Sequence, residues 1–344
     1  MPVKLSDVAE RAGVSTASVS RVLAKKPHVS ETVRKRVLAA VNELSFRPSR
    51  VARSLRSQRS LVIGLVISDI QNPFFTSMVR AIEDVTYQHH YSLVLCNSDE
   101  DPAKEAFYID LMVAEKVAGV ILSPTNETDA SCKRLAEIGI PVVAIDRRTR
   151  QADVDTVVVD NAGAACALTS HLIDDGHRRI GAIVGPPGAT TGMERRTGYL
   201  RALRNHQIDV EDDLVHIGPP TVDYGYQMVN QLMALDKPPS AIFLGNNLLT
   251  IGALRAIHER KLRIPDDIAI GAFDEMDWAF VMNPALTVMS QPVYEMGKTA
   301  ADLLLARISD YSRPTREVML QPTIKIRQSC ARHDVQAVGT NQSV

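Results

Sequence analysis

A chain of 344 residues exceeds one ordinary domain, and its 45% hydrophobic and 23% charged residues are typical of a globular protein with two or three domains. No run of about eighteen apolar residues is present, and the N-terminus, MPVKLSDVAERAGV, lacks the apolar core of a signal peptide. We therefore expect no membrane span and a cytoplasmic location. The four cysteines form no CxxC and no zinc-like Cys/His spacing, so we expect neither a disulfide nor a metal site.

The net charge of -1 conceals an uneven distribution along the chain. Residues 1–60 contain thirteen Lys and Arg against four acidic residues, which gives this segment +9 and the remainder -10. A basic segment on an acidic body indicates a polyanionic partner for the basic segment alone, because the same partner would repel the body. This pattern favours nucleic acid as the partner.

Three short amphipathic helical patterns follow one another in the N-terminal segment. The first, LSDVAERAG, has Ser6 as the predicted N-cap and Gly13 as the stop, and the second, VSTASVSRVLA, has Ser15 as the cap. The third, SETVRKRVLAAVNELSF, has Ser30 as its cap. We expect this third helix to pack through Val33, Val37, Leu38, Val41 and Leu44.

Two helices joined by a tight glycine-containing turn are typical of a helix-turn-helix unit, whose second helix enters the DNA major groove. Its N-terminal residues then meet base edges, for which short polar side chains are suited. The predicted DNA-contacting residues of this unit are Ser15, Thr16, Ala17, Ser18, Ser20, Arg21 and Ser30.

The segment KLSDVAERAGVSTASVSRVLAKKPHVSETVRKRVLAAVNELSFRPSRVARSLRS resembles, nearly residue for residue, the headpiece of the lactose/galactose repressor (LacI/GalR) family. With the body described below, the resemblance extends to about Arg327. It implies an all-α helix-turn-helix headpiece over residues 1–46. Over residues 47–59 it implies a hinge helix that becomes ordered only on operator DNA and packs against its twin in a homodimer.

The hinge sequence agrees physically with that implication. A helix over residues 48–56 falls below the roughly twelve to fifteen residues that an isolated helix needs in water. Arg50, Arg53 and Arg56 recur every three residues and can face phosphates. The resemblance assigns to Leu55 the role of a wedge in the minor groove, where it would unstack a base step and kink the duplex.

From Ser60 onward, apolar runs such as LVIGLVIS, GVILSP and PVVAID alternate with helical patterns, and the alternation then restarts at RIGAIVGP. Such alternation predicts right-handed βαβ units and two doubly wound parallel sheets. The resemblance implies an α/β periplasmic-binding-protein-like core over residues 60–328. Its N-lobe would span about 60–160 and 290–325, and its C-lobe about 161–289, followed by a disordered polar tail over 329–344.

Ligands of doubly wound sheets bind beyond the carboxyl ends of the strands, which here means between the two lobes. In the segment SDIQNPFF, Asn72 can bond a hydroxyl, and Phe74 and Phe75 suit the C–H face of a sugar ring. Asp146 and Arg147 resemble an Asp-Arg pair that clasps sugar hydroxyls in related sugar-binding proteins. The remaining predicted effector-binding residues are Arg195, Asn246, Asp274 and Gln291.

Several positions depart from the family pattern. The segment HIGPPTVDYGY has Pro219 and Pro220 near a position where many relatives carry a stacking aromatic residue. Trp278 is open to two interpretations, a substitute for that ring or a lobe-surface or interface residue. The family's Asn-Asp pair is here Asn246-Asn247, so the cleft has one carboxylate fewer. Together with Arg147, Arg148, Arg195 and Arg196, this change favours a positive cleft, which keeps a sugar acid or sugar phosphate open as the effector.

We therefore predict a dimeric transcriptional repressor of a carbohydrate-utilisation operon that binds a near-palindromic operator under the control of a small sugar. The sequence leaves open whether the effector is an inducer or a corepressor. No nucleophile elbow, phosphate loop or GxGxxG accompanies the histidines, so we expect neither an enzyme nor a cofactor. A transport binding protein would fit the body but not the headpiece. The C-terminal tail has no leucine heptad, which favours a dimer over a tetramer.

Overall fold

The computed structural model describes most of the chain, namely residues 3–23, 29–46, 60–128, 130–276 and 278–330. The chain divides into two units, Met1–Ser60 and Leu61–Val344, and each is described by itself. Within the described stretches, every helix is too short or too polar to span a lipid bilayer.

The first unit contains three helices, α1 (Leu5–Ala12), α2 (Thr16–Leu23) and α3 (Glu31–Glu43). Gly13 ends α1 with a left-handed φ of 60°, as the sequence predicts. The predicted caps of α2 and α3 are also confirmed, since Ser15 Oγ accepts from Ser18 N at 3.2 Å and Ser30 Oγ accepts from Val33 N at 3.4 Å.

The predicted cap of α1 is wrong. Helix α1 begins at Leu5, two residues earlier than a cap at Ser6 implies, and Ser6 lies inside it. The carboxylate of Asp7 accepts the backbone N–H of Lys4 at 2.8 Å, so an acidic side chain in the first turn satisfies the helix start instead.

One valine from each helix, Val8, Val19 and Val37, is fully buried in the headpiece core. Leu38 was expected to pack there as well, but it is exposed to 46%, and Ala40 occupies a buried position on α3 instead. Residues three apart lie on the same face of a helix, so Ala40 lies on the buried face with Val37. Leu38 directly follows Val37 and therefore points away from that face.

The second unit alternates strands and helices. Its first run consists of β1 (Val62–Ile67), α4 (Pro73–Gln88), β2 (Ser92–Asn97), α5 (Pro102–Ala114), β3 (Gly119–Leu122), α6 (Ser131–Glu137), β4 (Val142–Ile145) and β5 (Asp155–Val159). Its second run consists of α7 (Asn161–Asp174), β6 (Ile180–Val184), α8 (Thr190–Asn205), β7 (Val215–Ile217), α9 (Val222–Leu232), β8 (Ala241–Leu244), α10 (Asn247–Glu259), β9 (Ala269–Phe273) and β10 (Thr287–Ser290). The last elements are α11 (Val293–Ser309), β11 (Glu317–Leu320) and β12 (Thr323–Lys325).

These strands form two six-stranded sheets, ordered β11-β5-β4-β3-β1-β2 and β12-β10-β9-β8-β6-β7. All pairings are parallel except that of β12, which runs antiparallel to β10 with Val288 opposite Lys325. Strands β3, β4 and β5 are buried along their whole length, because helices cover both faces of the first sheet. The chain therefore builds two lobes and returns to the first through α11 and β11.

The C-terminal boundary differs from the predicted one. Strand β12 belongs to the second sheet, so the return to the N-lobe ends with β11 rather than at residue 325. Ser329 and Cys330 are fully buried, and the backbone N–H of Ile270 donates to Ser329 O at 2.8 Å. The core thus continues through Cys330, and the prediction of a disordered tail is wrong for residues 329–330. The rest of that predicted tail, residues 331–344, lies outside the described residues.

Candidate functional site

A cavity of about 560 Å³, including its open mouth, lies where the carboxyl ends of the two sheets face each other. The structure brings every predicted effector-binding side chain to its wall: Asn72, Phe74, Phe75, Asp146, Arg147, Arg195, Asn246, Asp274 and Gln291. Three further polar residues line this wall and were not predicted from the sequence: Asp69, Glu100 and Thr191.

Helix α4 supplies the aromatic part of the N-lobe wall. Asn72 caps this helix, since its Oδ1 accepts the backbone N–H of Phe74 at 3.1 Å, and Pro73 begins the first turn. The rings of Phe74 and Phe75 are buried and lie edge to face, with 5.1 Å between their centroids. The wall therefore offers apolar ring surface beside an amide.

Asp146 and Arg147 follow β4 and are 4% and 5% exposed. The Arg147 guanidinium forms two hydrogen bonds of 2.6 Å to the carboxylate of Glu100, and its Nε lies 3.5 Å from Asp146 Oδ2. Burial raises the pKa of Asp146 to about 6, although Arg147 and Arg195 oppose the shift. Burial acts to lower the pKa of Arg147, but its ion pair with Glu100 outweighs burial and the net shift is upward.

Arg195 on α8 is the cationic group of the C-lobe wall. Its Nε donates to Asn161 Oδ1 at 2.9 Å, its Nη1 donates to Gly245 O at 2.5 Å, and its guanidinium lies 3.9 Å from the centre of the Phe273 ring. Burial lowers the pKa of Arg195, although Asp274 and Asp146 oppose the shift. These contacts hold the guanidinium in one orientation at the cavity.

Asp274, at the end of β9, has a left-handed φ of 76° and is 4% exposed. Its Oδ1 accepts from Gln291 Nε2 at 2.5 Å and its Oδ2 accepts from Asn247 N at 3.3 Å. Gln291 Oε1 is buried and accepts no hydrogen bond from the described residues. Asn246 Oδ1 caps α10 by accepting from Leu249 N at 2.8 Å.

Among the described residues, four polar contacts join the two lobes around the cavity. Asn247 Nδ2 donates to Asn72 Oδ1 at 3.0 Å, and both side chains are buried. Arg148 N donates to the Thr190 hydroxyl at 3.2 Å, and the Arg148 side chain pairs with Glu194. The fourth is a backbone hydrogen bond of 3.1 Å from Glu127 N to Gly188 O. The lobes are thus in a closed arrangement.

The charges at the wall contradict the expectation of a positive cleft. Arg148 and Arg196 do not line the cavity, Arg148 is paired with acidic residues, and Arg196 is exposed. The wall carries four carboxylates against two guanidinium groups: Asp69, Glu100, Asp146 and Asp274 against Arg147 and Arg195. Burial raises the pKa of Asp69, as does its proximity to other carboxylates, against a hydrogen bond from a backbone N–H. The cavity is therefore acidic on balance.

The structure does not support Trp278 as a substitute for the stacking ring. This half-buried ring contacts the apolar core of the C-lobe and does not line the cavity. Pro220 lies at the wall in the region where relatives were expected to carry an aromatic ring.

In the headpiece, the predicted DNA-contacting residues other than Ser30 lie in α2 or directly before it. Thr16, Ala17 and Arg21 are exposed, whereas Ser18 and Ser20 are half-buried. Ser15 and Ser30 are exposed N-caps. The predicted hinge residues Arg50, Arg53, Leu55 and Arg56 lie outside the described residues.

One arginine that the sequence did not identify fixes the turn between α1 and α2. Arg36 on α3 donates from Nε to Ala12 O at 2.9 Å and from Nη2 to Gly13 O at 2.6 Å. These carbonyls end α1, where backbone acceptors have no partner within the helix. Arg36 therefore couples α3 to the turn that orients α2.

One group of possible metal ligands lies away from the cavity, where atoms of His171, Asp175 and Cys330 are within 4.8 Å of one another. Burial raises the pKa of the Cys330 thiol to about 11, and the thiol donates to Ile270 O at 3.1 Å. Because metals bind the thiolate, this protonated and hydrogen-bonded cysteine gives the group little capacity to bind one.

Comparison with known proteins agrees with the two-part architecture. A family model described as "Bacterial regulatory proteins, lacI family" matches residues 4–49. A second, "Periplasmic binding proteins and sugar binding domain of LacI family", matches residues 60–330. The chain belongs to the LacI family.

Relatives in this LacI family match nearly the whole chain. The protein named "HTH-type transcriptional repressor PurR" from Pectobacterium carotovorum is 34% identical over 329 residues, which is 95% of this chain and 96% of its own. The solved lac repressor dimer, bound to operator and the anti-inducer ONPF, has a TM-score of 0.85 at 27% identity and covers 96% of this chain and 100% of its own. A CelR–cellobiose complex has a TM-score of 0.73 at 28% identity and covers 95% and 99% respectively. This LacI-family protein is a transcriptional regulator with a helix-turn-helix unit and a sugar-binding-type core.

Proposed function

We propose that this regulator represses a carbohydrate-utilisation operon as a homodimer on a near-palindromic operator, and that a neutral sugar bound between its lobes controls it. The observation that carries the proposal is the acidic, phenylalanine-lined cavity in a chain that also has a DNA-binding headpiece. Two-fold symmetry of the protein requires matching symmetry in the operator. A solved structural relative, the lac repressor, is likewise a dimer bound to operator.

The polar groups of the cavity suit a ligand with many hydroxyl groups. Ionised carboxylates only accept hydrogen bonds, and three of them, Asp69, Asp146 and Asp274, can each accept hydroxyl hydrogens. Gln291 Oε1 is a further buried acceptor that receives no hydrogen bond from the described residues, so a hydroxyl of the ligand can donate to it. The rings of Phe74 and Phe75 supply apolar surface for the C–H face of a sugar.

The alternative effector, a sugar acid or a sugar phosphate, is less favoured by the same wall. An anion would approach four carboxylates with only two guanidinium groups to balance them, and Glu100 already occupies Arg147. In a site of low dielectric, such an imbalance repels an anionic ligand. The cavity therefore favours neutral sugars.

The lobes provide a physical route from the effector to DNA. Residues from both lobes line the cavity, so a ligand that contacts both favours the closed arrangement. A change in the lobe equilibrium of each subunit would then alter the hinge segments and the spacing of the paired headpieces. An inducer would bind more tightly to the arrangement that releases the operator, and a corepressor to the other.

The test is a thermal-shift screen of full-length protein against pentoses, hexoses, sugar acids and sugar phosphates, followed by operator gel shifts with each ligand that binds. We expect a neutral sugar to raise the melting temperature and to change operator affinity. A response only to sugar acids or phosphates would contradict the neutral effector. Sedimentation is expected to give twice the chain mass of 37.7 kDa.

A second test addresses the headpiece. If Thr16 and Ala17 meet base edges, replacing both should change the preferred half-site, with roughly 1 to 3 kcal/mol at stake per good contact. Selection from a randomised operator library measures this preference. An unchanged preference would refute the assignment of α2 as the helix that recognises bases.

A further inference from the structure

Glu100 lies in the turn that follows β2 and has a left-handed φ of 58°. This conformation directs a charged side chain from a loop to the cavity wall, where 27% of the side chain remains accessible. Non-glycine residues adopt such a backbone at a cost, which is often found at functional sites. Glu100 therefore warrants a functional explanation.

Its partner is Arg147, which is 5% exposed. Glu100 Oε1 and Oε2 accept from Nη2 and Nη1 of Arg147, both at 2.6 Å, in a two-point pairing. Nη1 also donates to the carbonyl oxygens of Pro124 and Thr125, at 3.2 and 3.3 Å. The guanidinium face that could bind a ligand anion at two points is thus occupied by a carboxylate of the protein.

We propose that Glu100 is a specificity-determining residue that excludes anionic ligands from the cavity by neutralising Arg147. The inference rests on the proposed function, because it concerns the effector class that the same cavity accepts. A carboxylate or phosphate on the ligand would have to displace Glu100 from Arg147. It would also stand beside the displaced charge as well as Asp69, Asp146 and Asp274.

Glu100 differs from the other acids of the wall in its contact with Arg147. Asp146 reaches Arg147 only at 3.5 Å through Nε, and Asp274 bonds with Gln291 and a backbone N–H. Removal of the Glu100 charge would therefore expose the paired Nη1 and Nη2 donors. Removal of another carboxylate would leave those donors occupied.

The experiment measures binding of a fixed panel, ribose, glucose, galactose, galacturonate, gluconate and ribose 5-phosphate, to full-length protein by calorimetry. The variant Glu100→Gln keeps the size of the side chain and removes its charge. We expect the ratio of acid to neutral-sugar affinity to rise by about 10- to 100-fold, because a ligand anion can then pair with Arg147 at two points. Asp69→Asn is the matched control, since it removes one wall charge without releasing Arg147, and it should change the ratio much less.

A double variant, Glu100→Gln with Arg147→Met, tests the route of the effect. The gain for acids should disappear, because the guanidinium that would receive the anion is absent. Operator gel shifts and melting curves verify folding. If Glu100→Gln does not fold, Glu100→Asp, which shortens the carboxylate and weakens the pairing, should shift the ratio in the same direction by less.

An unchanged ratio in the folded Glu100 variant overturns the proposal, and so does an equal gain in Asp69→Asn. The proposed function has a separate readout, namely whether a neutral sugar changes operator affinity in the parent protein. If the parent binds no member of the panel but Glu100→Gln binds an acid, the exclusion of anions by Glu100 is supported and the proposal of a neutral-sugar effector is contradicted. If neither protein binds any of these ligands, that exclusion is refuted as well.

Discussion

At the scale of single residues, Asp146 has the ionisation that bears most directly on ligand binding. Its carboxylate is buried at the end of β4 and adopts a left-handed φ of 69°. Burial raises its pKa to about 6 from the ordinary 3.8, even with Arg147 and Arg195 nearby. Between these two values, the folded protein holds a proton that the unfolded chain releases, so the contribution of Asp146 to stability falls as pH rises through this window.

Effector binding should show the opposite dependence on pH. Sugar hydroxyls donate to the ionised carboxylate, so neutral-sugar affinity should weaken as pH falls below about 6, by about tenfold per pH unit. Calorimetry between pH 5 and 7.5 measures this. The variant Asp146→Asn removes the titration and should bind weakly at every pH. Equal affinity of the parent protein at pH 5 and 7.5 would contradict the assignment of Asp146 as an acceptor for the ligand.

The residues that sequence reasoning identified and those that it missed differ in how they are positioned. Asp146 and Asp274 directly follow apolar strands, and such strand ends can be recognised without a structure. Glu100 reaches the cavity from a turn, and Arg36 acts on α1 from another helix. Such contacts depend on tertiary geometry, so no local periodicity predicts them. The overestimate of positive charge had the same cause, because the acidic partners of Arg147 and Arg148 were not visible in the sequence.

At the scale of secondary-structure elements, Arg36 on α3 adds polar contacts with the end of α1 to the apolar core that the three headpiece helices share. The variant Arg36→Ala removes two hydrogen bonds to the carbonyls that end α1. Loss of these charged donors should destabilise the headpiece by about 1 to 3 kcal/mol and weaken binding to all operators alike. Arg36→Lys is the control, because it keeps the charge but cannot reach both carbonyls in a fork.

Operator titrations at several salt concentrations separate this structural role from a phosphate contact. A structural role predicts that Arg36→Lys is also weakened and that the salt dependence stays close to that of the parent. If Arg36→Lys binds like the parent, the charge of Arg36 matters and the hydrogen bonds to the turn do not. Effector affinity should be unchanged in both variants, because Arg36 belongs to the first unit and the residues of the cavity wall belong to the second.

A second element-level contact joins α4 and α10 across the cavity. The variant Asn247→Asp replaces the donor that bonds Asn72 Oδ1 with an acceptor and adds a buried charge beside Asp274. The closed arrangement should be destabilised and effector affinity should fall by about tenfold or more. Asn205→Asp makes the same chemical change at an exposed helix end and should have no effect. Scattering from the ligand-free variant should show a larger radius of gyration, and unchanged scattering and affinity would rule out this contact as a latch between the lobes.

At the scale of the whole molecule, the helix-turn-helix domain and the sugar-binding-type core are separate units of one chain, so the proposed DNA binding and effector binding reside in different units. The alternation of strands and helices was sufficient to predict the two lobes, because each βαβ unit has a short and regular pattern. The place of β12 in the second sheet could not be predicted from this alternation. Strand β12 is three residues long, and its place beside β10 depends on antiparallel pairing with a distant segment.

Because the cavity and the headpiece belong to separate units, a variant of the cavity wall should bind DNA normally but not respond to the effector. Asp274→Ala leaves Gln291 Nε2 and the Asn247 N–H without their acceptor and removes a ligand acceptor, so effector affinity should fall by several kcal/mol. Because an effector acts only through its different affinity for two arrangements, a protein that cannot bind it cannot be shifted. Operator binding without effector should remain normal, and repression in a reporter strain should stay constant at all concentrations of an inducer. For a corepressor, the variant should instead fail to repress at any concentration.

Asp267→Ala, which changes an exposed acid of the same lobe, is the control for Asp274→Ala and should respond like the parent. A normal effector response in Asp274→Ala would show that this carboxylate serves only to hold Gln291 in place, and the ligand contacts of the C-lobe would then have to be assigned to Arg195 and Asn246.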